Sequence, residues 1–292
     1  MKELAVVSGK GGTGKTTITA SLVSLAHREV KLAITDCDVD ASNLHLLLNP
    51  KVEAEEKFSG SKTAEIDLEK CVNCGVCEGS CRFGAIRELR VDPLACEGCG
   101  VCVYICPVKA VKLKEKISGY LYISSTAYGP MCHARLLPGE SNSGRLVALV
   151  RHHARKIASE RRLELIVSDG APGVGCPVIS TLTGVDYALL VAEPTASGLH
   201  DFKRILGLVQ HFGRIKPLAL INVWDLNPEV SKSIADYCNS SGVRLLGFIP
   251  FDEKAAEAAT ERKPLVEYAP KSPASNELKA VWETLSGIIL EK

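Results

Sequence analysis

The sequence predicts an α/β fold, a mostly parallel β-sheet with helices on both faces that is interrupted by one inserted module. Short apolar runs alternate with amphipathic segments of helical periodicity over most of the 292 residues. The apolar runs are rich in β-branched residues without polar alternation, which is typical of parallel strands buried on both faces. A polar stretch after Pro50 breaks this pattern and leads into a segment that holds eight of the twelve cysteines.

Six apolar runs are the expected strands, namely Leu4–Ser8, Leu32–Thr35, Leu163–Ser168, Tyr187–Ala192, Leu218–Asn222 and Leu245–Ile249. The expected helices between them are Lys15–His27, Arg145–Arg161, Gly198–His211 and Glu229–Asn239. A last amphipathic segment, Asn276–Leu290, has one apolar face and no basic polar face. We therefore expect that segment to pack on the core rather than on a membrane.

The composition is that of an ordinary globular protein, with 46% hydrophobic and 24% charged residues. A formal net charge of +1 gives no indication of nucleic-acid binding or of attraction to an anionic membrane. No apolar run approaches the ~18 residues of a membrane span, and the apolar part of the N-terminus is too short for a signal peptide. We expect a cytoplasmic protein with no nucleic-acid or membrane partner.

The inserted module contains two copies of one unit, "IDLEKCVNCGVCEGSCRFGAI" and "LRVDPLACEGCGVCVYICPVKAV". We expect residues 58–116 to form this module, and residues 1–57 and 117–292 to form the α/β domain. So small a module buries little core, so bound metal is expected to stabilise it. Disulfides are disfavoured because we expect a reducing compartment.

The first candidate site is the loop "GKGGTGKT", which fits G-x-x-x-x-G-K-S/T between an expected strand and an expected helix. Glycines let successive backbone N–H groups converge on phosphate oxygens, and the helix N-terminus adds partial positive charge. Lys15 would reach the β- and γ-phosphates, and the Thr16 hydroxyl would bind Mg²⁺. The residues expected to bind ATP or ADP here are Gly9, Lys10, Gly11, Gly12, Thr13, Gly14, Lys15, Thr16 and Thr17. The alternative, a glycine-rich turn without a ligand, is disfavoured by the full match in this context.

The loop has a second lysine, Lys10, and in this form it resembles the deviant Walker A loop of the MinD/ParA/nitrogenase iron protein group. In that group the early lysine crosses a dimer interface to the nucleotide of the partner subunit. The resemblance implies a homodimer in the nucleotide-bound state, with Lys10 and Lys15 both catalytic. A lysine at the rim of the loop is well placed to neutralise a phosphate presented by a facing subunit. The alternative is a solvated lysine.

Other segments fit the same group. In "ITDCDVDASN" the resemblance implies that Asp38 positions the attacking water and that Asp36 supports the Mg²⁺ shell, with Asp40 and Asn43 as weaker candidates. These carboxylates follow a strand, at the sheet edge where open α/β folds bind ligands. "LELIVSDGAPGVG" ends a strand at Asp169, which resembles a Walker B aspartate that also contributes to Mg²⁺ binding; a helix-capping aspartate is the alternative.

Two later segments are implied to contact the base. Asn222 in "LALINVWD" lies at a strand end where the group uses an asparagine amide to read adenine. "GFIPFDE" resembles the loop in which Pro250 and Asp252 border the base. Ordinary turn chemistry is the alternative for these residues.

The cysteine segment contains the spacing C-x-x-C-x-x-C-x-x-x-C twice, as in bacterial ferredoxins. In such modules three cysteines of one run and the fourth of the other run hold each 4Fe–4S cluster. The expected ligands are therefore Cys71, Cys74, Cys77 and Cys106 for cluster 1, and Cys96, Cys99, Cys102 and Cys81 for cluster 2. Zinc is the alternative, disfavoured by the repeated fourth cysteine. Whether Cys132 or Cys176 binds metal stays open, with a small buried apolar role favoured for Cys176.

The resemblance covers nearly the whole chain and implies a Mg²⁺-dependent P-loop ATPase of the MinD superfamily with an inserted ferredoxin domain. Three functions are compatible with it. The favoured one couples ATP binding, hydrolysis and dimerisation to electron transfer from the two clusters to a redox partner. The second is ATP-dependent assembly or delivery of a metal cluster to a metal-cofactor partner, and the third is a MinD/ParA-like positioning ATPase whose clusters are structural.

Overall fold

The computed structural model of the protein describes residues 1–140 and 143–290. The chain divides into two compact units. The larger comprises Met1–Glu55, Leu121–Arg135 and the chain from Ser143 onward, and the smaller comprises Glu56–Tyr120 with a short segment that begins at Leu136. We expected that short segment to belong to the α/β domain.

The strands, in chain order, are β1 (Lys2–Ser8), β2 (Leu32–Asp36), β3 (Lys51–Phe58), β4 (Ser61–Ile66), β5 (Ile86–Arg87), β6 (Arg90–Val91), β7 (Val111–Lys116), β8 (Gly119–Thr126), β9 (Gly129–Leu136), β10 (Leu165–Pro172), β11 (Tyr187–Ala192), β12 (Lys216–Asn222) and β13 (Arg244–Ile249). The helices are α1 (Lys15–Ala26), α2 (Leu44–Leu48), α3 (Val76–Gly79), α4 (Val101–Ile105), α5 (Ser143–Glu160), α6 (Cys176–Leu182), α7 (Gly198–His211), α8 (Pro228–Ser240), α9 (Lys254–Thr260), α10 (Leu265–Tyr268) and α11 (Pro273–Ile289), with a 3₁₀ turn at Trp224–Leu226.

One large sheet has the strand order β13-β12-β11-β1-β10-β2-β9-β8-β3. The pairings from β13 across to β9 are parallel, which confirms the expected α/β fold with a mostly parallel sheet. All six expected strands lie in it. The edge formed by β9, β8 and β3 was not among the expected strands, because Lys51–Lys57 of β3 are exposed and the apolar residues of β8 and β9 are interleaved with polar ones.

The core lies on both faces of this sheet, because alternate residues of a strand point to opposite sides. In β1, Leu4 and Val6 belong to one buried cluster and Ala5 and Val7 to the other. The helix α11 packs into the first cluster through its apolar face, as the sequence predicted. Within the described part of the chain, we find no helix with both the length and the apolar character needed to span a bilayer.

The smaller unit repeats one backbone conformation in its two cysteine runs. Asn73 and Gly75 have φ values of 53° and 72°, and the equivalent Gly98 and Gly100 have 62° and 79°. Each pair precedes a short helix, α3 or α4. Left-handed residues of this kind turn successive N–H groups inward and form the anion-binding concavities found around iron–sulfur sites. The strands β4 and β7 form an antiparallel pair in the same unit, and β5 pairs with β6.

Candidate functional site

The glycine-rich loop joins β1 to α1 at the carboxyl end of the sheet, and close packing fixes its glycines. Gly12 and Gly14 have φ values of 81° and 80°, in the left-handed region that favours glycine. A methyl group on Gly14 would also overlap the amide of Asn222, and one on Gly9 would overlap the Asp201 carbonyl oxygen. The loop is therefore shaped by its neighbours before any ligand binds.

Two threonines and a lysine of α1 converge on Asp169 at the carboxyl half of β10. Thr16 Oγ1 donates to Asp169 Oδ2 at 2.7 Å, and Thr19 Oγ1 lies 3.1 Å from Oδ1. Lys15 Nζ lies 3.9 Å from the same Oδ1, and both side chains are buried. The alternative role for Asp169 as a helix cap is not what the geometry shows, since its carboxylate faces side chains of α1.

Asp36 lies beside Asp169 because β2 and β10 pair in register at these two residues. Burial, and then the charge of Asp169, raise the pKa of Asp36 from 3.8 to about 7. Asp36 accepts hydrogen bonds from Ser42 Oγ at 2.6 Å and from the Asp38 N–H at 3.1 Å. Burial also raises the pKa of Asp169, against the opposing charge of Lys15. Two carboxylates and the Thr16 hydroxyl form an all-oxygen donor set that suits Mg²⁺.

Asp38 lies two residues after Asp36, which accepts its N–H, and its side chain is half-buried. Burial raises its pKa, the Lys15 charge lowers it and the Asp169 charge raises it, so Asp38 shares the electrostatic environment of the loop lysine and Asp169. The weaker candidates Asp40 and Asn43 are exposed. The Ser42 side chain, which was not among the expected site residues, donates its hydroxyl hydrogen bond to Asp36 beside the backbone N–H groups of Asp38 and Leu44.

The raised pKa of Asp36 predicts a pH-dependent stability. Between about pH 4 and pH 7 the folded protein keeps a proton on Asp36 that the unfolded chain releases, so the free energy of unfolding falls as pH rises across this window and levels off above about 7. Without Mg²⁺ or nucleotide, Asp36→Asn should therefore melt several degrees above wild type at pH 8, and the difference should be much smaller at pH 5. Thermal unfolding in a chelator measures this, with Asp40→Asn as the exposed control. An equal difference at both pH values would contradict it.

Lys10 is held by its own chain, on the turn between β11 and α7. Its Nζ donates to Thr195 Oγ1 at 2.7 Å and forms an ion pair with Glu193. The loop itself is fixed on the other side, where Ser8 Oγ donates to the Lys10 carbonyl at 2.7 Å. Neither Glu193 nor Thr195 was an expected site residue, because both lie more than 180 residues from Lys10 in the chain.

The residues expected near the base have identifiable contacts. Asn222 Nδ2 donates to the Thr13 carbonyl at 2.9 Å, which places this amide against the loop. Asp252 accepts backbone N–H groups of Lys254 at 3.0 Å and Ala274 at 3.3 Å, so its carboxylate organises the turn before α9. Pro250 lies half-buried in the same turn.

An aromatic group missed by the sequence analysis follows Asn222. Trp224 and Phe248 make an edge-to-face contact with ring centroids 6.3 Å apart, and both rings are partly exposed. Asp225 Oδ1 accepts the Phe251 N–H at 2.7 Å, which ties this turn to the one that holds Pro250. The aromatic residues in "NVWDL" and "GFIPFDE" are the sequence feature from which this contact could have been predicted.

The cysteines expected to hold cluster 2 line one cavity of about 250 Å³ in the smaller unit. Those residues are Cys81, Cys96, Cys99 and Cys102. The rest of the wall includes the apolar side chains of Ala64, Phe83, Ile86 and Leu113. Four cysteine side chains around an apolar cavity supply the ligand type and number that the predicted 4Fe–4S cluster requires.

Backbone groups donate to two of the cysteine sulfurs. The Ala64 N–H reaches Cys96 Sγ at 3.4 Å, and the Ala110 N–H reaches Cys106 Sγ at 3.2 Å. Burial is the largest single effect and raises the pKa of each thiol, but the several hydrogen-bond donors around each sulfur together outweigh it, so the net pKa falls. In the first run, burial raises the pKa of Cys77, and the neighbouring Cys71 and Cys74 thiols add to this rise. Among residues 1–140 and 143–290, no three His, Cys, Asp or Glu side chains converge as one metal ion would require.

The remaining cysteines lie elsewhere. Cys176 is exposed at the start of α6, whereas sequence reasoning favoured a small buried role for it; the turn that begins α6 leaves this side chain at the surface. Cys132 is buried in β9 and Cys37 and Cys238 are buried as well. The neighbour of Cys132 in the chain, His133, bonds Ser124 Oγ through Nε2 at 3.0 Å.

Comparisons with known proteins agree on one group of relatives. Residues 4–265 match the family model described as the CobQ/CobB/MinD/ParA nucleotide binding domain. An uncharacterised protein of Methanocaldococcus jannaschii is 36% identical over 210 residues, which cover 72% of this chain and 74% of that protein. The septum site-determining protein MinD of Neisseria meningitidis is 25% identical over 287 residues, which cover 91% of this chain and 84% of that protein.

Solved structures give the same result for the fold. MinD from Pyrococcus horikoshii, complexed with Mg-ADP, matches with a TM-score of 0.61 at 21% identity and covers 98% of this chain and 96% of that chain. The MinC:MinD complex from Aquifex aeolicus matches with a TM-score of 0.61 at 19% identity, with the same two coverages. These matches concern the nucleotide-binding fold, and the two iron–sulfur clusters stay a prediction.

Proposed function

The chain belongs to the CobQ/CobB/MinD/ParA nucleotide-binding family, and from this membership we propose that it is a Mg²⁺-dependent ATPase of the MinD/ParA type. Of the three functions considered from the sequence, the relatives support the third, a MinD/ParA-like ATPase, more than the favoured electron carrier.

The observation that carries this proposal is the convergence of α1 and β10. Lys15, Thr16 and Thr19 meet Asp169 at the mouth of the loop, with Asp36 on the neighbouring strand. This arrangement places one cation for the phosphates next to oxygen donors for Mg²⁺. Catalysis of phosphoryl transfer consists mainly of such positioning and charge neutralisation, so the residues present match the requirement of the reaction.

We assign the following steps to the chain's own residues. The loop N–H groups and Lys15 bind the phosphates, and the Thr16 hydroxyl with Asp36 and Asp169 binds Mg²⁺ directly or through water. Asp38 orients the attacking water from its half-buried position beside Asp36. Lys10 acts on the nucleotide of a second copy of the chain, so that the active form is a homodimer with two bound nucleotides.

The proposal predicts that binding and turnover separate in two variants. Lys15→Ala should abolish nucleotide binding because the phosphates lose their buried cation, whereas Asp38→Ala should bind ATP normally and lose hydrolysis. Trp224 provides the binding signal, since it is exposed beside the base site while the chain's other tryptophan, Trp282, is buried. Fluorescence titration with Mg-ATP and phosphate release measure the two properties.

Two controls accompany this test. Trp224→Phe should remove the fluorescence change while hydrolysis continues, which shows that the signal comes from the base site. Asp40→Ala, an exposed carboxylate of the same segment, should hydrolyse ATP like wild type. Wild-type hydrolysis by Asp38→Ala would contradict the role given to Asp38, and wild-type binding by Lys15→Ala would contradict the site itself.

The cysteine cavity supports a second proposed function, electron transfer coupled to the ATPase. Cys71, Cys74, Cys77 and Cys106 would hold one four-iron cluster, and Cys96, Cys99, Cys102 and Cys81 the other. When bound, such clusters supply one-electron chemistry. The side chains of Cys74 and Cys99 are exposed, so the rim of each site is accessible to a redox partner.

Delivery of a metal cluster to an acceptor protein uses the same cysteines and is distinguished by its product. Electron transfer leaves the iron content of the protein unchanged through many turnovers. Delivery lowers it in proportion to the acceptor loaded. Clusters that never change redox state under dithionite would instead support a structural role in a positioning ATPase.

A further inference from the structure

The feature that carries a further inference is the contact of Lys10 with its own chain. Nζ of Lys10 meets two acceptors at once, the Glu193 carboxylate and Thr195 Oγ1. The Lys10 side chain is 27% exposed and that of Glu193 is 16% exposed. A pair this sheltered from water is screened less than a surface ion pair. Lys10 is thus not a solvated lysine.

The turn that holds Lys10 is fixed by hydrogen bonds and close packing of its own. Within it, the Thr195 N–H donates to the Glu193 carbonyl at 2.9 Å and the Gly198 N–H to the Thr195 carbonyl at 2.9 Å. A methyl group on Gly198 would overlap the Glu193 carbonyl oxygen, so this turn has no room for a larger residue. The first turn of α7, which follows, abuts the glycine-rich loop, since a methyl group on Gly9 would overlap the Asp201 carbonyl oxygen.

We propose that Glu193 and Thr195 form a resting site for Lys10, from which the lysine must leave before it can reach the nucleotide of a second chain. The inference rests on the proposed function, in which Lys10 acts across a dimer. Departure of Lys10 leaves the Glu193 carboxylate, which is mostly shielded from water, without this cation. The contact within one chain therefore opposes dimerisation. The free energy of ATP binding by two chains has to offset the free energy lost when this contact breaks. Glu193 is a positioning residue that sets the dimerisation threshold.

Glu193→Gln keeps the shape of the side chain and removes its charge. We expect this variant to dimerise about three- to tenfold more tightly in the presence of a non-hydrolysable ATP analogue and Mg²⁺, because Lys10 is released more easily. The protein concentration that gives half-maximal ATPase activity should fall by the same factor. The ATPase activity per dimer at saturating protein should stay at the wild-type level. A general loss of structure would not tighten dimerisation while leaving this activity unchanged.

The experiment is sedimentation of the full chain over a range of concentrations, with the ATP analogue and without nucleotide. Glu229→Gln is the matched control, since it removes one exposed carboxylate and gives the same change in net charge. Thr195→Val removes the hydroxyl that accepts from Lys10, so it should also release Lys10 more easily and tighten dimerisation. Thermal unfolding of each variant checks that the fold is retained.

The outcomes separate this inference from the proposed function. A wild type that stays monomeric with the ATP analogue contradicts the proposed dimer, and the resting site with it. A wild type that dimerises, with Glu193→Gln and Thr195→Val unchanged in affinity, contradicts the resting site alone. Weaker dimerisation of Glu193→Gln also overturns the resting site, since Glu193 would then stabilise the dimer.

Discussion

Lys10→Ala is expected to bind ATP nearly as wild type does and to lose ATP hydrolysis by about 10³-fold or more. Cations supplied in trans to phosphoryl-transfer sites are worth roughly 10³–10⁵ in rate, because they neutralise charge that develops only in the transition state. Binding survives because Lys15, the buried cation of the loop, is untouched. Phosphate release and the Trp224 titration measure both quantities in one preparation. A loss of only tenfold would be too small for the role proposed.

Mixing two inactive variants tests whether Lys10 acts across the dimer. In a mixed dimer of Lys10→Ala with Asp38→Ala, the nucleotide on the Lys10→Ala chain has an intact Asp38 and receives Lys10 from the other chain. One complete site is therefore restored, and the mixture should hydrolyse ATP although neither variant does so alone. Lys10→Ala mixed with a second Lys10→Ala preparation is the control. An inactive mixture that nevertheless forms mixed dimers would show that Lys10 acts within its own chain.

Anaerobically prepared protein is expected to contain about eight irons and eight inorganic sulfides per chain, from two four-iron clusters. Replacing one ligand should remove most of one cluster, so Cys99→Ala should retain about four irons. Cys176→Ala, which changes an exposed cysteine outside both runs, should retain about eight irons and serves as the control. Iron and sulfide analysis gives the answer. Stoichiometric zinc without visible charge-transfer absorbance would contradict the cluster assignment.

Double variants test which cysteines share a cluster. The cavity around Cys81, Cys96, Cys99 and Cys102 implies that Cys81 shares a cluster with the second run. Cys81→Ala with Cys99→Ala should then lose one cluster and keep about four irons. Cys81→Ala with Cys77→Ala, both in the first run, should lose both clusters. The opposite pair of results would mean that each run holds its own cluster.

Much of this protein follows from local sequence. The backbone at Gly12 and Gly14 has positive φ, which only a few residue types adopt easily. The loop can therefore be predicted from the glycines in its sequence. The expected strands could be predicted because they are short apolar runs, which in all but the edge strand β13 are largely buried on both faces. The repeated backbone conformation of the two cysteine runs can also be predicted. Equivalent positions, such as Asn73 and Gly98, have the residue types that a left-handed backbone favours.

Other features were decided by the tertiary structure. The sheet edge formed by β9, β8 and β3 has an exposed outer strand, and exposed strands carry no period that distinguishes them from polar loops. The cavity that unites Cys81 with the second cysteine run depends on how the two repeats pack.

The site contacts themselves join residues far apart in the chain. Thr16 meets Asp169 across 153 residues, and Lys10 meets Thr195 across 185. Sequence periodicity reports which face of an element is buried, whereas a pairing between two polar side chains is set by strand order and register. The sequence alone therefore determined that Lys10 stands in a phosphate-binding loop. Only the folded chain determined that Glu193 and Thr195 hold it, because parallel order brings the end of β11 beside the end of β1.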